Sequence, residues 1–295
     1  MGADTVWGVA VLLASASSIL WGLADFLGGL LTRRHSALLV VVASQLVGLL
    51  AVSAATIPAD PGAVGPVLVP AALAGLAGSG GLVAFYEALA TGRMGVVAPV
   101  AALGVLVPVA VGLARGERLS AAVLLGMALA VAGIVAACGP ELRGQAGRRP
   151  VLLAVGAAAG FGGALVLIAD GSRHSPLWTM VCMRAVSVTV LAGIALLVRR
   201  AGGGGVSGGS RLLLAGWTGR TVALVALTGV ADVAANLALG VAARSAYVSV
   251  VGVLGSLYPV VTVLLAVLVL RERMRGVQAA GVLVALTGVV LVAAG

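Results

Sequence analysis

An all-α integral membrane protein of ten helices, arranged as two inverted five-helix repeats, is the fold this sequence predicts. Three observations carry the prediction. Apolar stretches of about 20 residues, the length that crosses a bilayer, fill the chain almost end to end. Their pattern recurs once: Arg34-His35-Ser36 returns as Arg173-His174-Ser175, 139 residues on, and Glu117-Arg118 returns as Glu272-Arg273, 155 residues on. Behind each acidic-basic pair stands a glycine ladder at one spacing, Gly126 and Gly133, then Gly281 and Gly288.

The expected spans, in order, are 7–30, 36–56, 67–91, 95–114 and 120–138 in the first copy, then 151–170, 177–198, 221–243, 246–270 and 276–294 in the second. Span 1 holds Trp21-Gly22 and Asp25, and span 3 holds Gly75, Gly78, Gly80, Gly81 and Glu87. Such small residues let membrane helices approach closely. Pro99 and Pro108 in span 4 and Pro259 in span 9 lack amide donors and should kink their helices, freeing carbonyls that can line a cavity. A polar linker, residues 139–150 with Arg143, Arg148 and Arg149, separates the copies. The other long connection, Arg199 to Arg220, holds Gly202 to Gly205 and reads as a surface loop. Five spans per copy is an odd number, so the second copy enters the membrane from the opposite side and the copies are inverted repeats.

Composition excludes most other classes. The chain is 61% hydrophobic and 9% charged, with a mean hydropathy of +1.21. A soluble domain would carry nearer a quarter charged residues. The net charge of +9 is no nucleic-acid footprint, because the arginines fall between apolar segments and do not line one face. No lysine occurs, which rules out a P-loop and a retinal Schiff base. Two histidines and two cysteines are too few and too scattered for a zinc site, and Cys138 and Cys182 read as small buried hydrophobes. No cofactor and no metal is expected. Met1 to Thr5 lacks the basic start of a cleaved leader, so the first helix is expected to be retained.

Arginines also set an expected orientation. The loops after spans 1, 3, 5, 7 and 9 hold thirteen arginines, against four in the even-numbered loops and termini. The positive-inside rule would put the odd loops in the cytoplasm and both termini outside.

The closing motif of each copy resembles the EamA-type, ten-helix branch of the drug/metabolite transporter superfamily. The carrying residues are Gly116-Glu117-Arg118-Leu119-Ser120 before Gly126 and Gly133, and Arg271-Glu272-Arg273-Met274 before Gly281 and Gly288. Ser256-Leu257-Tyr258-Pro259 and Trp21-Gly22 are similar to the family as well. Arg271 departs from the pattern by standing where a glycine is usual, a change expected to matter little in a loop. The family's usual orientation, both termini in the cytoplasm, is opposite to the arginine count. The resemblance implies a multi-pass protein of the cell membrane that exports a small metabolite, with the bilayer, the substrate and protons as its partners and nucleic acid excluded.

Charges inside lipid spans cost at least ~2.5 kcal/mol each and are functional candidates by default. Asp232 lies at the centre of span 8, and Arg184 lies near the centre of span 7. Opposite in sign and similar in depth, they read either as a structural ion pair or as a substrate or proton site. By the 139-residue offset the counterpart of Arg184 is Gln45, so the charge pair belongs to one copy only. Asp25 and Glu87 sit nearer span ends and read either as proton-sensing carboxyls or as partners of Arg33, Arg34 or Arg93. Asp170, beside Arg173, reads as a solvated charge. Asn236, Tyr258, Ser249, Tyr86, Tyr247 and Trp21 complete the polar or amphipathic candidates.

Secondary transport by two five-helix copies rocking about a midplane site follows, driven by a proton or substrate gradient. An amino acid is the first substrate, because Asp232 and Arg184 together suit a zwitterion. A cationic drug, leaning on Asp25, Glu87 and Asp232, is the alternative. A non-transporting scaffold or receptor, and an intramembrane enzyme, are the rival classes; inverted duplication speaks against the first, and the lack of a nucleophile-base set against the second.

Overall fold

The computed structural model describes residues 3–32, 34–57, 64–91, 97, 100–137, 147–200, 217–271 and 275–294. Pro99, Cys138, Glu272, Arg273, linker residues 139–146 and the glycine-rich connection lie outside these, as does the side chain of Tyr86. The described chain is helical: α1 (Ala3–Thr32), α2 (Ala37–Thr56), α3 (Val64–Thr91), a 3-10 turn (Leu103–Val105), α4 (Leu106–Ala114), α5 (Ala121–Ala137), α6 (Arg148–Ser172), α7 (Pro176–Arg200), α8 (Gly219–Ala242), α9 (Val248–Gly255), α10 (Tyr258–Leu270) and α11 (Gly276–Ala294). Eight stretches are long and apolar enough to cross a membrane, with α9 and α10 counted as one, Val248–Leu270. Two shorter apolar helices, Val100–Ala114 and Ala121–Ala137, complete the bundle.

Each duplicated motif has a local cause. The serine ending each Arg-His-Ser stands immediately before a helix. Ser36 occupies the N-cap position of α2 without a side-chain capping bond, whereas Ser175 accepts from the Trp178 N–H at the start of α7. Ser120 of the first closing motif accepts from the Val123 N–H and so caps α5. A capping oxygen satisfies a helix-start N–H that has no partner within the helix. The glycine ladders face each other across α5 and α11. A Cβ on Gly126 would come within 2.8 Å of the Gly288 carbonyl, and Gly133 and Gly281 meet the backbone of Ala285 and Ala137. Only hydrogen fits there, so the two backbones come together as small-residue stripes allow.

The glycines of α3 divide by use. Gly75 lies against α7, with the Met183 carbonyl 2.7 Å from its missing Cβ, and Gly81 meets Gly160 of α6. Gly78 has only ordinary contact, and nothing lies within 4 Å of Gly80, so the close approach expected there does not occur.

Helices of the two copies interleave. The main packing pairs are α3 with α6, α1 with α8, α3 with α7, α2 with α8, α2 with α7 and α5 with α11. Every one joins a helix of residues 1–138 to a helix of residues 148–294. This corrects the expectation of two separate five-helix bodies, because each copy buries its apolar helix faces mainly against the other.

The span 246–270 is broken in two at Ser256 and Leu257, with Pro259 in the first turn of α10. Pro108 follows the 3-10 turn in the first turn of α4 and packs against Gly252 of α9. The carbonyls freed at the break do not line open space. Ser18 of α1 donates to the Leu254 and Gly255 carbonyls, the latter at 3.0 Å.

The two closing motifs share a left-handed backbone position but fill it with different residues. Gly116 has φ +83°, and its counterpart Arg271 has φ +56°, the left-handed cap that ends α10. A side chain in that region costs about 1–2 kcal/mol, so the departure expected to matter little carries local strain.

Candidate functional site

The deep charges meet where α2, α7 and α8 cross. Arg184 Nη2 lies 2.7 Å from Asp232 Oδ2, with the arginine side chain only 4% exposed and the carboxylate 25% exposed. Arg184 Nη1 donates to Gln45 Oε1, and Gln45 Nε2 reaches Asp232 Oδ2 at 3.5 Å. Two further groups fix the carboxylate: Trp21 Nε1 donates to Oδ1 at 3.0 Å, and Asn236 Nδ2 lies 3.3 Å from Oδ1 while donating to the Asp232 carbonyl at 2.7 Å. Arg184 is less fully served, since its Nε is buried without a hydrogen-bond partner. A buried ion pair is costly to desolvate and is held only by such added hydrogen bonds.

Trp21 brings α1 into the cluster. Its neighbour Gly22 lies against Val261 of α10, where a Cβ would come within 2.5 Å of that side chain. The Trp21 ring meets Tyr258 edge-on at 6.1 Å. One helical turn beyond Trp21, on the same face of α1, stands Asp25. It is exposed, within electrostatic reach of Asp232, and without a hydrogen bond or ion pair among the described residues.

Burial is lopsided along the helices. Toward the even-loop end the main core runs through Ala10, Val11 and Ala14 of α1, Met180 and Met183 of α7, and Val248 to Leu254 of α9. Toward the odd-loop end, apart from the α5–α11 contact, the described residues form only two small separate clusters, Leu31 with Val40 and Val225, and Ala88 with Val97 and Ala154. The exposed Asp25 lies on that less packed side, seven residues before the end of α1.

Several candidates fall elsewhere. Glu87 lies near the end of α3 and pairs with Arg149 of α6 at 2.8 Å, both exposed, while Arg33 and Arg93, named above as possible partners, lie outside the described residues. Ser249 is wholly buried at the start of α9, where Glu117 holds it, and so faces no pathway. Asp170 is no isolated solvated charge. Arg115 grips both its oxygens, at 2.7 and 2.8 Å, and those hydrogen bonds raise the arginine's pKa further. Arg118 lines an opening of about 500 Å³ with Trp7, Ser120 and Tyr247, beside the chain ends. Sequence reasoning missed the part of Ser18 and the Arg115–Asp170 pair. Neither leaves a sequence signal, because each partner lies on a distant helix.

Comparison with known proteins agrees with this architecture. Residues 148–294 match the EamA-like transporter family. That segment carries a domain of the EamA-like transporter family, a family of membrane transporters. A solved crystal structure, 20% identical, matches with a TM-score of 0.74 over 96% of this chain and 95% of that one. At that identity the likeness speaks for the fold alone. No curated protein matches the chain.

Proposed function

We propose that this chain is a secondary active exporter of ten membrane-crossing helices, built from inverted repeats 1–138 and 151–295 around the linker 139–150. It moves a small metabolite across the cell membrane by alternating access. The observation that carries this reading is the contact of Gln45 with Arg184, against Asp232. Residues equivalent under a two-fold that also touch each other lie at its axis. The reciprocal helix pairs support the same symmetry: exchanging the copies turns α1 on α8 into α6 on α3, and α2 on α8 into α7 on α3. The bodies that rock are therefore mixed bundles, α1, α2 and α8 against α3, α6 and α7.

An amino acid suits the cluster. Its ammonium would meet Asp25 beside Asp232, and its carboxylate would compete with Asp232 for Arg184, whose Nε has no partner. Asp25, exposed and unpaired, is the group free to carry a coupling proton. A second reading, an organic cation, is favoured by that same unpaired carboxylate and by the faces of Trp21 and Tyr258. The test is flux per folded molecule in proteoliposomes, with amino acids and organic cations as cargo, for the parent, Asp232→Asn, and Asp232→Asn with Arg184→Gln. Both variants should lose flux while remaining folded. A double variant at the parent's rate would remove the pair from the mechanism, and a parent that moves neither cargo would end the transporter reading.

A further inference from the structure

We infer that Glu117 is a latch: by capping the first turn of α9, its carboxylate holds the pathway shut on the even-loop side and must leave that cap each time this side opens. The inference rests on the alternating-access reading above. Glu117 belongs to the first copy and α9 to the second. The Val248 N–H donates to Glu117 Oε1 at 2.7 Å, the Ser249 N–H donates to Oε2 at 3.3 Å, and the Ser249 hydroxyl donates to Oε2 as well. Three donors at a helix start, with the helix dipole behind them, favour a carboxylate strongly. The helix so capped is the plug of this end, since all eight of its residues are buried.

The seat is shaped for that side chain. Gly112 of α4 lies where any Cβ would collide with the Glu117 carboxylate and come within 2.9 Å of Ser249 Cβ. Gly116 at φ +83° turns the chain back, so that the Glu117 N–H donates to the Gly112 carbonyl at 3.1 Å. Arg115 in the same turn grips Asp170 at the end of α6. One turn deeper, the Pro108 ring packs against Gly252. Thus α4 and α9, from different copies, approach closely at Gly112 and at Gly252, and the Glu117 cap is a polar bond across their crossing. Parting the copies on this side must break it. This also supplies a physical reason for a glutamate in the closing motif.

The test uses the full chain without its native cysteines (Cys138→Ala, Cys182→Ala) and a reporter at Ser17→Cys, a wholly buried position of α1. A membrane-impermeant maleimide is applied from the even-loop side. Glu117→Gln should label roughly tenfold faster than the parent, the size expected from losing a charged helix cap. Gly112→Ala, which displaces the carboxylate but keeps its charge, should do the same, and Ser249→Ala should give a smaller rise. A second reporter, Ile134→Cys, a wholly buried position of α5, should stay protected throughout, separating opening from unfolding. An unchanged Ser17→Cys rate in both Glu117→Gln and Gly112→Ala overturns the latch, and so does an equal rise at Ile134→Cys. Labelling needs no cargo, so a failure of the transporter reading appears separately, as absent flux in the parent.

Discussion

Gln45 and Arg184 lie 139 residues apart, the offset at which Arg34-His35-Ser36 recurs, and their side chains are hydrogen-bonded to each other. Asp232 lies against both, 2.7 Å from Arg184 and 3.5 Å from Gln45. An offset visible as sequence arithmetic thus coincides with a physical contact, and the Arg184–Asp232 ion pair sits on it.

The two positions should therefore be exchangeable. Gln45→Arg alone sets two guanidiniums against one carboxylate and should destabilise by ~3–5 kcal/mol, the cost of an uncompensated buried charge. Adding Arg184→Gln should recover more than half of that loss. Thermal melting of the purified variants checks it; no recovery in the exchanged pair would mean the positions are not equivalent.

Asp25 predicts the opposite split between folding and function. Exposed and unpaired, it should tolerate Asp25→Asn within about 0.5 kcal/mol of parental stability. Flux of an amine-bearing cargo should fall at least about tenfold, as the loss of one charged hydrogen bond implies. Melting and proteoliposome flux, measured on one preparation, decide it.

Arg271 is strained where Gly116 is not. Arg271→Gly relieves a left-handed φ at a helix C-cap and should stabilise the protein by about 1 kcal/mol. A melting temperature that fails to rise would place the strain elsewhere.

The glycines supply a matched contrast. Gly133→Ala drives a methyl into the backbone of Ala285, which cannot step aside, and should cost several kcal/mol, above the ~1–3 kcal/mol of ordinary overpacking. Gly80→Ala meets open space and should stabilise by about 0.5–1 kcal/mol through helix propensity. Folded yield and melting of both variants test the pair.

Orientation remains a matter of arginine count. Thirteen arginines in the odd loops against four in the even-numbered loops would put the 199–220 connection in the cytoplasm. A cysteine introduced at Ser207, in a chain lacking Cys138 and Cys182, should resist an impermeant reagent on intact cells. Strong labelling would reverse the orientation and put both termini inside.

The run of apolar helices long enough to cross a membrane was legible in the sequence, and so was the presence of Asp232 and Arg184 inside two of them. Each follows from local composition or from spacing along one helix, which lipid enforces whatever the partners. The 139-residue offset that relates Gln45 to Arg184 was legible too, as arithmetic on the sequence. What the sequence could not say is which faces meet. Asp25 and Glu87 look alike in sequence, each a carboxylate near a span end. One lies beside Asp232 because Trp21 turns its face of α1 inward, and the other is drawn outward to Arg149 of α6. Ser249 looked like a pathway hydroxyl and is the seat of Glu117. Only the crossing of helices from different copies decides such things, because contact across a bundle depends on how apolar faces and glycine stripes rotate to bury one another, and no residue's own neighbours in the chain record it.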